Sequence, residues 1–392
     1  MTDSLADLRA EAVRLREWMF RESFPLWAGP GMHTSGAAWE ALDFVGIPVP
    51  NNAVRVRVQA RQVFVFSLAH SMGWEPDCSR ELVESLLGHL LNGCRRDNGL
   101  FGKVYDLESQ TLIDDTFCLY DTAFALLALA EASRPLGKDR VAGDIAGIFA
   151  ALDRHVAHPD GGYQEDGAAS ADRLQNPHMH LFESLLAIGE AGFDDDGNAV
   201  GGFEHGPESR ASRLLAFIES RFFDEHLGIV RERRPGKDCD PVTFEPGHSF
   251  EWTWLLSWWA GRQGVGTNPF AEQLFTKAER TLDNQGFACM EAGVDGAKTD
   301  STCRLWAQAE VLKALLCRAM ATQGAARADY VARAVECCRG MAAHWLEPAH
   351  PGGWFDHFDQ SGERLAKDMP ASTGYHLFGA VRFLEESLTR LA

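Results

Sequence analysis

Positive charge is scarce in this 392-residue sequence: 37 Lys and Arg stand against 56 Asp and Glu, a formal net charge of -19. Such a surface repels polyanions, which argues against nucleic acid or an anionic membrane as partner and leaves a neutral small molecule open. Long apolar runs are missing as well. No stretch approaches the roughly 20 residues that would cross a bilayer. Met1 to Asp7 carry acidic residues where a secretory leader would carry basic ones. None of the nine cysteines forms a CxxC pair, and the adjacent Cys337-Cys338 is not a zinc spacing. Thiols scattered among apolar neighbours fit a reduced, cytoplasmic protein. No Walker-type glycine loop occurs, so nothing predicts bound ATP.

What the sequence does have is apolar and aromatic mass: 45% hydrophobic residues, with 11 Trp and 24 Phe, enough for a well-filled core. It also has a repeat. A helix over 5–28 and a second from about Asn52 to His70 are followed by amphipathic segments near 79–95, 138–157, 207–224, 268–284 and 327–346. Each of these five leads into a glycine signature, such as Asn98-Gly99-Leu100-Phe101-Gly102 or Gly161-Gly162-Tyr163. A more apolar helix then begins, near Asp115, Asn176, Ser249, Thr302 and Ser372 in turn. Arg61, Asp121, His180, His248, Gln308 and His376 mark equivalent places at intervals of roughly 60 to 68 residues. Six helical hairpins of two helix classes predict a closed all-α ring in one domain over 1–392: an (α/α)6 barrel, apolar helices inside and amphipathic ones outside. Segments such as Phe101 to Asp106 could pair as short strands over its mouth.

In such a ring the starts of the inner helices converge on one cavity. Glu245-Pro246-Gly247-His248-Ser249-Phe250-Glu251-Trp252 places His248 in a first helical turn, with Glu251 on its face. The positive end of the helix dipole is expected to keep that imidazole neutral. Asn176-Pro177-His178-Met179-His180-Leu181-Phe182-Glu183 repeats the arrangement: Asn caps, Pro opens the helix, and His180 faces Glu183. His178 and His180 are two apart, which is not a helical metal pair. On the next apolar helix Trp306 and Glu310 lie four apart, an aromatic plate beside a carboxylate that suits a sugar ring as well as a core. Ser372-Thr373-Gly374-Tyr375-His376 puts His376 at a matching helix start, expected to face His248 across the ring. Two imidazoles over one cavity have an obvious use in moving protons at two sides of one substrate. Asp114-Asp115 reads as capping.

Taken in order, Gln59-Ala60-Arg61-Gln62, Asn176 to Glu183, Glu245 to Trp252, Arg304 to Glu310 and Gly374-Tyr375-His376 resemble the motifs of the N-acylglucosamine 2-epimerase family across essentially the whole chain. The resemblance implies the (α/α)6 barrel, metal-free and cofactor-free chemistry on a monosaccharide through an enediolate, and a homodimer as a family expectation. By position His248 and His376 match its acid/base pair, with Glu251 assisting His248, and Arg61 matches the arginine that binds the enediolate. Asn176, His180, Glu251, Trp252 and Trp306 match pocket positions. Glu183, Gln308, Glu310 and Asp121 complete the candidate substrate set. The Glu245–Trp252 form resembles the isomerase-like branch, which implies mannose–fructose interconversion; the same residues would serve a sugar 2-epimerase. A glycoside hydrolase on this barrel would need two facing carboxylates, for which Asp121 and Glu310 are the candidates. A binding module without catalysis would not need the histidines. Arg233 and Arg234, ahead of His248, are candidates for a sugar phosphate.

Overall fold

The computed structural model describes residues 2–166, 173–200, 209–233, 242–347 and 350–392. Among the described residues, twelve long helices alternate between two concentric rings. The outer ring comprises α1 (Thr2–Trp18), α3 (Pro76–Gly93), α5 (Lys138–His155), α7 (Arg210–Phe222), α9 (Pro269–Glu279) and α11 (Gly324–Met341). The inner ring comprises α2 (Val56–Ser71), α4 (Leu119–Leu136), α6 (Gln175–Glu190), α8 (Pro246–Arg262), α10 (Leu305–Ala321) and α12 (Gly374–Leu391). Inner helices pack on one another in chain order, and α12 returns to α2 to close the ring. This is the (α/α)6 barrel that the repeat predicts.

The two helix classes follow from burial. α2 is buried from Val56 through Ala69, Arg57 excepted, because neighbours in both rings cover it. α3 buries one stripe, Val83, Leu86, Leu87 and Leu90, at the 3-and-4 spacing of an amphipathic helix, and leaves the rest to water. Ser209 and Asn268 cap α7 and α9 by accepting from backbone N–H groups of the first turn. α1 runs into a π-helical turn, Met19–Ser23, and a short helix, Phe24–Ala28. It packs on α11 and α12, with Arg339 donating to Glu11 at 3.0 Å and Arg16 to Glu385 at 2.9 Å.

Short antiparallel strands fix where the inner helices begin. Ala53–Arg55 pairs with Val104–Asp106, which pairs in turn with Thr111–Asp114. Thr243–Phe244 pairs with Glu291–Gly293, and Cys303–Arg304 with His357–Phe358. Each first-named strand runs straight into an inner helix. The expected strand near Phe101–Asp106 is therefore present, and it delays the second helix: α2 starts at Val56, not at Asn52. The ladder's hydrogen bonds hold Ala53–Arg55 extended. Among the described residues no helix is long and apolar enough to cross a membrane.

Candidate active site

The inner-helix starts surround a cavity of about 310 Å³. Arg61, Asn176, His180, His248, Glu251, Trp306 and His376 all line it. Arg55, Tyr120, Met290 and Arg304 line it too. Sequence alone did not single out Arg55 and Met290, which sit on or beside strands, where no helical period points to them.

Trp306 is the centre of the arrangement. Its ring centroid lies 5.3 Å from that of His248 and 5.4 Å from that of His376. The two histidines therefore do not face each other across the ring as expected. They stand on α8 and α12, on either side of the helix that carries Trp306. Two repeats of six make a third of a turn, not half. His180 completes the group, 6.4 Å from His376. Gly247 makes room: a Cβ there would come within 2.5 Å of the Trp306 ring.

The two imidazoles have opposite electrostatic settings. His248 Nδ1 donates to Glu232 at 2.9 Å and lies 3.3 Å from Glu245. Burial works against its charge, but the two carboxylates outweigh burial and push its pKa up to about 10. The expectation of a neutral imidazole from the helix dipole is thus overturned: ion pairs at 3 Å exceed a dipole's fraction of a charge. Glu251 makes no hydrogen bond to His248 and adds only a lesser charge effect; Glu232 and Glu245 are its contacts. As an imidazolium His248 also carries N–H at Nε2. Asn176 Nδ2 lies 3.3 Å from that nitrogen; with the amide turned over, Oδ1, otherwise without a partner among the described residues, accepts from it.

His376 Nδ1 bonds Glu310 Oε1 at 2.8 Å, yet burial and the nearby Arg61 and Lys313 cations hold its pKa well below the usual histidine value. Its Nε2 is left for the cavity. His180, bonded to Glu183 at 3.0 Å, is held down to about 4, mainly by burial. Glu251 is fully buried, and neither carboxyl oxygen has a hydrogen-bond partner among the described residues. Burial and neighbouring Glu310 push its pKa well above the usual carboxylate value.

Four arginines line the same space, and three are matched by a carboxylate: Arg55 by Glu40, Arg57 by Asp121, Arg304 by Asp356. Arg61 is the exception among the described residues. Its Nη atoms donate to Tyr120 Oη at 2.8 Å and to the Ser372 carbonyl at 3.2 Å, and its plane lies 4.2 Å from the Phe124 ring centroid.

Five candidate pocket residues stand behind the wall. Trp252 is fully buried; its indole N–H donates to Gln175, which donates in turn to Glu232, so it braces the carboxylate on His248. Asp121 is fully buried under Arg57. Gln308 bonds both backbone groups of Ala288. Glu183 holds His180 and accepts from the Tyr375 hydroxyl. Glu310 holds His376 and Lys313. Asp121 and Glu310 are therefore not two carboxylates open to a cavity, which removes the hydrolase geometry. His180, Glu183 and Glu251 come close enough to hold a cation, as do Glu232, Glu245 and His248. The His180 and His248 Nδ1 atoms are already donated to a carboxylate, a pattern that orients imidazoles. Arg233 pairs its backbone with Leu174 and is not a lining residue; Arg234 lies outside the described residues.

A sequence model described as N-acylglucosamine 2-epimerase matches residues 38–380. A mannose-6-phosphate isomerase of Rhizobium meliloti (strain 1021) is 33% identical, over 98% of this chain and 99% of that protein. Among solved structures, a cellobiose 2-epimerase from Spirochaeta thermophila superposes with a TM-score of 0.81 at 19% identity, covering 97% of each chain. A D-mannose isomerase does so with a TM-score of 0.77 at 20% identity, also over 97% of each.

Proposed function

This chain belongs to the N-acylglucosamine 2-epimerase family, and from that premise we propose that it is a metal-free aldose–ketose isomerase of mannose-type sugars. The observation that carries the reading is the pair of histidines flanking Trp306, one held between the carboxylates of Glu232 and Glu245, the other bonded to Glu310 but buried near the Arg61 and Lys313 cations. Environments that push two titratable groups apart separate an acid from a base.

In the proposed reaction an open-chain aldose lies over Trp306. His376 removes the proton from C2, and the carbonyl electron pair moves onto O1. Arg61, the one lining arginine without a carboxylate partner among the described residues, holds O1 and O2 of the enediolate, where charge develops. His248, as imidazolium, delivers a proton to O1 and takes the proton of O2. His376 returns its proton to C1, which leaves a ketose. Asn176, His180 and Glu251 bind hydroxyls.

If His248 reprotonated C2 instead, the product would be the 2-epimer. The fold similarity to a cellobiose 2-epimerase keeps this second reading in view. The isomerase is preferred because the relative that is 33% identical is named an isomerase. Incubation with mannose, and separately with its 6-phosphate, in D2O under NMR decides. Ketose is the expected main product, with deuterium at C1 to the extent that the proton held by His376 exchanges with solvent before it is returned. Glucose or its phosphate carrying deuterium at C2 as the main product would replace isomerisation with epimerisation.

A further inference from the structure

Both histidines present Nδ1 to a glutamate, yet they are set oppositely, and the structural difference lies behind the second glutamate. Glu310 gives Oε1 to His376 and Oε2 to the Lys313 ammonium, 2.7 Å away on the next turn of α10. Among the described residues Glu232 meets no lysine: its side chain partners His248 and the Gln175 amide. Lys313 is only 3% exposed. Its ammonium lies 3.5 Å from the Trp254 ring centroid, and the residue lines a second cavity of about 430 Å³ at the opposite end of the inner helices. The core between the two cavities holds three buried carboxylates, Glu183, Glu251 and Glu310, and Lys313 is their cation on the floor side. A buried carboxylate with only an imidazole for partner draws a proton onto that imidazole; a lysine sharing the carboxylate removes the pull.

We propose that Lys313 is a positioning residue for the reaction: from the floor of the barrel it engages the second oxygen of Glu310 and so keeps His376 a proton acceptor aimed at the sugar. The charged and titratable groups around His376 are Tyr375 on its own helix, Glu310 and Lys313 on α10, Glu251 on α8, His180 and Glu183 on α6, and Arg61 on α2. Of these cations only Lys313 touches the carboxylate that His376 uses.

The inference rests on His376 being the base, so the control is H376N. That variant must lose exchange of the C2 proton with solvent; retained exchange would end the base assignment itself. The test is K313M, which keeps the stem against Trp254 and removes the charge. Its acid limb of kcat/KM should move to higher pH, so that turnover near pH 6 falls by about tenfold and recovers toward pH 8, with KM changed less than about twofold. K313A should regain activity with ethylammonium, which can enter through the floor cavity, and not with ethanol. A folded K313M whose acid limb stays in place, beside an inactive H376N, overturns the role of Lys313 alone. Should neither variant at 313 fold, E310Q decides. It leaves Lys313 in place but uncouples it, and must lower kcat about tenfold at near-constant KM; an unchanged kcat overturns the proposal.

Discussion

At the scale of single residues, the two histidines fix the pH dependence. His376 must be neutral to accept a proton and its pKa is held well below 6.5; His248 must be protonated and is pushed up to about 10. A profile of kcat/KM should therefore be flat from about pH 7 to pH 9 and fall on either side, the alkaline limb disappearing in H248Q. A narrow optimum centred near 6.5 would mean that both histidines titrate normally. The raised value also enters stability. A folded pKa above the unfolded one contributes stability that is fully present below about pH 6.5 and is lost as pH rises through 10. Thermal midpoints of the wild type should accordingly fall across that window more steeply than those of H248Q. For Arg61, replacement by Lys keeps a charge but loses the planar fork over Phe124. Turnover should drop by about 100-fold with KM within a few-fold, because the contact matters most when O1 carries charge. Equal effects on both constants would assign Arg61 to ground-state binding.

At the scale of elements, the site depends on how closely helix starts approach one another. Gly247 sits against Trp306, so G247A must displace either the indole or the first turn of α8. Circular dichroism and thermal midpoint should change little while kcat/KM falls by at least tenfold, since a shift of about 1 Å near the chemistry is costly. Asp121 belongs to the frame. Removing its charge strands a mostly buried Arg57, so D121N should cost about 3 kcal/mol of stability in denaturant titrations. A variant of wild-type stability with lost activity would instead put Asp121 in the pocket.

The helices and their inner or outer class were legible in the sequence because apolar period and burial are the same fact. So were the residues of the inner-helix first turns: His248, His376, Asn176 and Trp306 line the cavity as expected. Depth was not legible. Trp252 and Gln308 lie on inner helices like the lining residues, but a turn or less of rotation points them into the wall. The partners of His248 were hidden for another reason. Glu232 reaches it from a loop 16 residues upstream, and no periodicity encodes such a contact. Glu251, at the expected helical spacing, turned out to be aimed elsewhere.

At the scale of the whole molecule, the barrel has two ends with different contents. The upper cavity has charges organised around Trp306, and the lower one is lined by Trp254, Trp258, Phe383 and ion pairs such as Arg382 with Glu131. Since the proposed chemistry uses Arg61 and two imidazoles for every charge and proton, dialysis against EDTA should leave turnover intact. A loss restored by a divalent cation would point to one of the His–Glu groups as a metal site.

The ring is also closed by the first segment of the chain lying on the last two helices. Leu8, Ala12, Leu15 and Met19 are buried there, by partners more than 300 residues away in sequence. During synthesis from the amino end, that stripe has no cover until the final hairpin has left the ribosome. A nascent chain stalled before α12 exposes the stripe and the open flank of α2 together, so the emerging polypeptide is most exposed to aggregation and to chaperone capture until α12 arrives.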